Sequence, residues 1–83
     1  MKPIINKVTH ETVAETVARL TAEVGARGMK LFTTIDHSGE ARAVGLELPE
    51  MRLVVLGNPQ AGTPIMHAVP LAGLDLPLKV LVR

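Results

Sequence analysis

Cysteine, tryptophan and tyrosine are absent from this 83-residue chain, and Phe32 is its one aromatic residue. Without cysteine, the chain has no disulfide, no thiolate nucleophile and no cysteine-based zinc site. Without a set of aromatic rings, it lacks the surface on which single-stranded nucleic acids stack. Nine basic and eight acidic residues give a formal charge of +1, which is too balanced to attract a phosphate backbone. We therefore expect no nucleic-acid partner.

Long apolar runs are absent too, and none approaches the roughly 20 residues of a membrane-spanning helix. Residues 1–7 contain no apolar stretch of the roughly 7–15 residues found in a signal-peptide core. We expect no membrane partner and a cytoplasmic location. Hydrophobic residues nevertheless make up 47% of the chain, which is typical of a folded domain. A chain of this length builds one core, so we expect a single domain over residues 1–83.

The first third of the chain predicts a short strand followed by an amphipathic helix. Ile4, Ile5 and Val8 indicate the strand, Thr9 is the expected N-cap of the helix, and Gly28 is expected to end it in a left-handed conformation. Aliphatic residues recur between them at helical spacing and predict its buried face: Val13, Val17, Leu20 and Val24. Alanines flank this face and are expected to allow close approach to a sheet: Ala14, Ala18 and Ala22.

The remaining sequence predicts three strands and two short helical segments. Alternation and β-branched residues indicate strands over residues 29–35 and 78–82, and a continuous apolar run predicts an interior strand over residues 51–56. Residues 40–44 suggest one helical turn. Thr63 is the expected N-cap of a second helix that starts with Pro64 and runs to about Val69. The predicted order is β-α-β-(α)-β-α-β, an α+β fold.

Three segments in register carry a resemblance to a known family. TIDH at residues 34–37, GNPQAGTP at 57–64 and LDLP at 74–77 are similar to signatures of the bacterial and archaeal family called Domain of Unknown Function 302. The resemblance covers residues 8–83. It implies an antiparallel sheet backed by helices, of the TATA-binding-protein-like kind, and a tendency to dimerise, but it supplies no activity.

The resemblance also implies a C-terminally shortened member, because the family usually continues into a further strand and a closing helix. Three explanations stay open: a natural short form, a truncated chain, or a subunit that takes the missing layer from its neighbour. The predicted last strand has no successor to cover its edge, and open edges are liabilities that proteins generally cover.

Asp36 and His37, at the end of a predicted strand, are the first candidate site. A carboxylate beside an imidazole suits acid–base work or metal ligation. His37 and His67, completed by Asp36 or by Asp75, would form a metal site. The alternatives are that Asp36 caps an ordinary turn and that His67 is exposed or hydrogen-bonded.

A second candidate is the glycine-bearing segment at residues 57–63. Gly57, Asn58, Gly62 and Thr63 would lie between a buried strand and a helix N-terminus, where free N–H groups can hold an anion. The lysine of a Walker A loop and the spacing of a dinucleotide fingerprint are both missing, and a tight turn explains the same residues. We predict that His37 and this segment face one shared cleft.

No convincing catalytic set emerges, and no cofactor is indicated. The sequence favours a non-catalytic domain that forms an obligate homodimer with an apolar interface and binds a small ligand or a protein partner. The alternative is a metal-binding or acid–base enzyme that uses Asp36, His37 and His67 beside the glycine-bearing segment.

Overall fold

The computed structural model describes residues 6–83 as helices on a small sheet. In chain order the elements are α1 (Val13–Ala26), β1 (Lys30–Asp36), α2 (His37–Ala43), β2 (Arg52–Gly57), α3 (Pro59–Ala68), a 3-10 helix (Pro70–Leu74) and β3 (Leu78–Val82). The three strands form an antiparallel sheet in the order β1-β2-β3. This confirms the α+β class and the antiparallel sheet backed by helices.

Helix α1 begins later than the sequence interpretation placed it. Thr12, not Thr9, is the N-cap: its Oγ1 accepts a hydrogen bond from the Glu15 N–H at 3.1 Å, and Glu15 Oε1 accepts one from the Thr12 N–H at 3.2 Å. A threonine followed three residues later by glutamate satisfies two helix-end donors at once. Thr9 has no glutamate at that spacing. Gly28 follows the C-cap with φ +70°, as predicted.

The core forms where α1 crosses the sheet. Val17 and Val24 of α1 pack with buried residues of β2 and β3: Val54, Leu56 and Val82. Val13 and Leu20 pack against this cluster, so the predicted aliphatic face is confirmed. The expectation for the alanines is wrong, because Ala14, Ala18 and Ala22 are all exposed. The valine and leucine side chains of α1 occupy its contact with the sheet, and the alanines therefore face solvent.

The central strand β2 has one covered and one open face. Val54 and Leu56 are buried on the side of α1, whereas Leu53 and Val55 are only half-buried, as alternation along a strand requires. Leu53 lies opposite Ile35 on one side and Leu81 on the other. Ile35 is 38% exposed and Leu81 51% exposed. We call Ile35, Leu53, Val55 and Leu81 the open sheet face.

Helix α3 corrects a second boundary. It starts at Pro59 with Asn58 as N-cap, and Thr63 and Pro64 lie inside it. Asn58-Pro59 and Thr63-Pro64 carry the same N-cap and first-turn signal. The earlier pair is used, directly after β2 ends at Gly57. The predicted loop over residues 57–63 is therefore a strand end and the first turns of a helix.

Two smaller differences concern the start of the chain and α2. Ile4 and Ile5 of the predicted first strand lie outside the described residues, and Val8 lies in no strand and is 94% exposed. The short helix α2 begins at His37 rather than near residue 40. Within residues 6–83, none of the helices combines the length and the apolar character needed to span a bilayer.

Candidate functional site

The structure separates the two groups of candidate residues. In the antiparallel register of β1 and β2, Asp36 lies opposite Arg52 at the start of β2, whereas Lys30 lies opposite Gly57 at its end. Five residue steps at about 3.3 Å each place these two ends about 17 Å apart. His37 follows the first end and Asn58 follows the second, so the prediction of one shared cleft is wrong.

The residues 36–39 form what we call the Asp36 junction, where β1 passes into α2. Asp36 Oδ1 accepts hydrogen bonds from Ser38 Oγ at 2.6 Å and from the Gly39 N–H at 2.9 Å. Ser38 is fully buried, and its Oγ also accepts from the Met51 N–H at 3.3 Å. A Cβ at position 39 would lie 2.7 Å from Asp36 Oδ2, so glycine leaves room for the cap. Asp36 therefore serves as the N-cap of α2.

The electrostatics of the junction stabilise the charged form of Asp36. The hydrogen bond from Ser38 lowers the pKa of Asp36 below its ordinary value, the Gly39 N–H lowers it further, and Arg52 and Arg42 add smaller effects in the same direction. A general acid or base works best with a pKa near the operating pH. The lowered pKa moves Asp36 away from that range and suits a structural carboxylate.

Solvent-exposed ion pairs lie beside the Asp36 junction. Arg42 lies 3.9 Å from Asp36 and 3.7 Å from Glu50, and Arg52 lies 3.8 Å from Glu50. The Arg42 side chain is 58% exposed and that of Glu50 is 53% exposed. Exposed pairs of this kind contribute about 0–1 kcal/mol each, so they add little to the stability of the junction.

The two candidate histidines do not come together in a ligand set. His37 is half-buried at the first position of α2, and His67 is exposed in the last turn of α3. Across residues 6–83, no three histidine, aspartate or glutamate side chains are grouped so that they could hold a metal ion. Nothing in the described part of the chain thus supports the metal alternative for Asp36, His37 and His67.

At the other end of the sheet the structure forms a groove of about 390 Å³. We call it the apolar groove. It lies between α3, Phe32 of β1 and the segment that enters β3, with Gly57, Asn58 and Gly62 from the candidate set in its lining. Thr63 and His67 are not part of that lining. Three of the predicted ligand-binding residues therefore share a concave surface.

Two glycines shape the apolar groove. A Cβ at Gly57 would lie 3.1 Å from Pro77 and 3.3 Å from the Phe32 ring, and a Cβ at Gly62 would lie 3.6 Å from Leu76. Gly57 therefore lets the end of β2 lie close to Phe32 and Pro77. Gly62 leaves space between α3 and Leu76. Phe32 lies where the β1–β2 register shifts, and the residue is 46% exposed.

The lining of the apolar groove is nearly free of polar side chains. Met29, Ile65 and Met66 contribute to it, and Asn58 is the one polar side chain among the described lining residues. Methionine adapts its shape readily to apolar ligands. Sequence reasoning missed these residues because aliphatic and methionine side chains carry no titratable signal. The methionines near a glycine-bearing strand end were the available clue.

The first turn of α3 has its amide donors occupied. Pro59 has no N–H, Gln60 and Ala61 donate to Asn58 Oδ1 at 3.0 and 3.3 Å, and Gly62 donates to the Asn58 carbonyl at 2.8 Å. An anion cradle requires free N–H groups. These four residues offer none, so the geometry favours an uncharged ligand here.

Comparisons with known sequences show the family of this chain. The sequence profile of the family described as domain of unknown function DUF302 matches residues 5–83, so the chain belongs to that family. It is 40% identical over 78 residues to the fluoride-specific ion channel FluC 1 of Brucella suis biovar 1 and to FluC 1 of Brucella abortus biovar 1. Each match covers 94% of this chain but only 31% and 29% of those relatives.

A solved structure gives an independent view of the fold. The chain is similar to the uncharacterized conserved protein DUF302 from Bacillus stearothermophilus, with a TM-score of 0.77 and 22% sequence identity. The likeness covers 86% of this chain and 56% of that one. At this identity the comparison supports the architecture.

Proposed function

We propose that this DUF302 domain is a non-catalytic binding domain that holds a small, largely apolar ligand in the apolar groove and acts as a homodimer. The observation that carries the proposal is the apolar groove itself: about 390 Å³ of space, within the range typical of small-molecule sites. The Asp36 junction supports a non-catalytic role, because its carboxylate and its buried hydroxyl are engaged in capping α2.

The lining favours an apolar occupant on energetic grounds. Ile65 is 50% exposed and Phe32 is 46% exposed, so both side chains present apolar surface to water in the free protein. Covering such surface stabilises a complex by about 25 cal/mol for each Å². A ligand that buries these two side chains therefore gains affinity without any new polar contact.

Diphenylmethane, an uncharged apolar probe, tests the groove. In ¹H–¹⁵N spectra of the 83-residue chain, we expect its addition to shift the amide signals of Phe32, Gly57 and Gly62. Ile65→Glu places a carboxylate in the lining and should weaken binding at least tenfold, because the charge loses hydration when the probe covers it.

Thr63→Glu is the matched control, since Thr63 is exposed on the same helix but outside the lining. It should leave the affinity for diphenylmethane unchanged. Shifts spread evenly over the protein, or equal weakening by both variants, would contradict a role for the apolar groove.

The homodimer is supported by apolar residues on β3 and on the open sheet face. Leu78 is 53% exposed, Val80 37% and Leu81 51%, and within the described sheet β3 is an edge strand. Exposed apolar edges of this kind are usually covered in a working protein. A second copy covers them symmetrically, as in most soluble homo-oligomers.

Sedimentation equilibrium tests this part of the proposal. We expect twice the mass of the chain for the wild type and a single-chain mass for Leu81→Lys. Leu46→Lys makes the same change at a residue that is 64% exposed and lies outside the sheet, and it should remain dimeric. A folded wild-type monomer at micromolar concentration would refute the homodimer while leaving the groove proposal intact.

The channel activity for which the Brucella relatives are named is not part of this proposal, because the matched segment is less than a third of their length. A single domain over residues 1–83 and a cytoplasmic location both stay predictions from the sequence.

A further inference from the structure

The side-chain amide of Asn58 has a hydrogen-bonded oxygen and a nitrogen that no described residue binds. Its Oδ1 accepts hydrogen bonds from the backbone N–H groups of Gln60 at 3.0 Å and Ala61 at 3.3 Å. Its Nδ2 carries two further donor hydrogens. No atom of the described residues accepts a hydrogen bond from them. Asn58 is exposed, so the amide is an anchored side chain whose donor hydrogens are left to solvent in the free protein.

The hydrogen-bonded oxygen also determines the orientation of the amide. Oδ1 must face Gln60 and Ala61, because a flipped amide would point its own N–H groups at two backbone N–H groups. The planar amide then holds Nδ2 on the side away from those two amides. A donor whose rotamer is already restrained loses little conformational entropy when it binds an acceptor.

The side chains around Asn58 indicate which class of ligand the apolar groove favours. Every other side chain that lines the apolar groove is apolar or absent, so a charged ligand would give up its hydration without finding a partner of opposite charge in the lining. An uncharged ligand with a carbonyl oxygen avoids that cost and pairs with the open donor.

We propose that the apolar groove is selective for uncharged molecules that combine an apolar body with one hydrogen-bond acceptor, such as a carbonyl, and that Asn58 Nδ2 is the specificity-determining donor. This inference rests on the proposed binding function of the same groove. It adds the chemical class of the ligand and the residue that recognises it.

Benzophenone and diphenylmethane provide a matched pair of probes, since they differ only by a carbonyl in place of a methylene group. We expect benzophenone to bind the wild-type chain about three- to tenfold more tightly than diphenylmethane, the gain of one net hydrogen bond. The anion 4-benzoylbenzoate should bind more weakly than benzophenone. The lining contains no cation, and Lys30, whose Nζ lies 5.6 Å from the centre of the Phe32 ring, is outside it.

Asn58→Asp separates recognition from folding. Aspartate keeps an oxygen for the Gln60 and Ala61 amides and is as good an N-cap as asparagine, but it replaces the donor with a second acceptor. We expect the preference for benzophenone over diphenylmethane to disappear in this variant, with its thermal midpoint close to that of the wild type. The readout is the ratio of the two affinities, which a general effect of the new charge on both probes does not alter.

The outcomes distinguish this inference from the proposed function. Equal affinity of the wild type for benzophenone and diphenylmethane, or an unchanged ratio in Asn58→Asp, would overturn the role of Asn58 while the groove still binds. Tighter binding of 4-benzoylbenzoate would overturn the preference for uncharged ligands. Failure of diphenylmethane to shift the groove signals would instead refute the proposed function.

Discussion

Two junctions in this domain have the same construction and different surroundings. At each, a strand ends and the side-chain oxygen of an aspartate or asparagine caps the next helix: Asp36 accepts from one backbone N–H between β1 and α2, and Asn58 from two between β2 and α3. At Asp36 the cap is joined by a buried serine and by nearby arginines. At Asn58 it borders the apolar groove. The first junction joins its cap to a buried hydrogen-bond network, and the second has a side-chain donor that no described residue uses, on a residue that lines a ligand-sized groove.

The largest difference between the junctions should come from Ser38→Ala. Ser38 is fully buried, donates to Asp36 and accepts from the Met51 N–H. Its removal leaves that N–H without a partner, at a cost of about 2 kcal/mol in the free energy of unfolding. Urea denaturation measures this change. A loss below about 0.5 kcal/mol would show that the junction relaxes or admits water at no cost.

The next effect concerns the N-cap of α3. Asn58→Ala should lower the free energy of unfolding by about 1 kcal/mol, because the Gln60 amide loses its acceptor and the Ala61 amide keeps only the residue-58 carbonyl, at 3.1 Å. Thr63→Ala is the control at the position that the sequence interpretation chose as the cap. Alanine has the higher helix propensity, so this second variant should be neutral or stabilising by up to about 0.5 kcal/mol. A reversed order in thermal or urea melts would restore Thr63 as the cap.

A smaller change of opposite sign is expected from Gly62→Ala. Gly62 lies within α3, and its Cβ would make ordinary contact with Leu76 at 3.6 Å. Alanine in a helix interior is favoured over glycine by about 0.5–1 kcal/mol, so the variant should unfold at higher urea concentration. The added methyl also narrows the apolar groove and should weaken diphenylmethane binding. Tighter binding together with lower stability would contradict both expectations.

The last prediction is a pH dependence that only the Asp36 junction has. Because the folded state lowers the pKa of Asp36, the cap stabilises the fold above the unfolded pKa of about 3.9. This contribution is lost as the pH falls through the lower folded pKa. An asparagine in place of Asp36 would still cap the helix but does not titrate.

The stability difference between wild type and Asp36→Asn should therefore shrink between pH 6 and pH 2.5. Urea midpoints measured across that range test this expectation. A difference that stays constant would show that the carboxylate charge contributes nothing to the junction.

The site is only partly predictable from the sequence. Asp36 as a turn cap is one of the two alternatives that the sequence supports, because aspartate followed by serine and glycine commonly caps backbone amides. The pattern of Gly57, Asn58 and Gly62 leaves open an anion site or a tight turn before a capped helix, and the structure lines a groove with these residues. The occupied amides of α3 become visible only when the helix start is known.

Helix starts are the weakest part of the sequence interpretation. The spacing of Thr12 and Glu15 is a capping-box signal that is present in the chain and outranks the signal at Thr9. Asn58-Pro59 and Thr63-Pro64 compete on equal local terms. Their order is decided by where β2 ends, which depends on its pairing with β1 and β3.

The sequence by itself determined the buried face of α1, the three strands and the left-handed end at Gly28, because apolar periodicity and the freedom of glycine act locally along the chain. The tertiary structure decided where the Asp36 and Asn58 junctions lie relative to each other. Antiparallel pairing places the end of β1 beside the start of β2, so residues that follow consecutive strands go to opposite ends of the sheet. His37 and Asn58 are thereby kept apart. The apolar groove forms because Gly57 brings Phe32 and Pro77, which are distant in sequence, against one strand end.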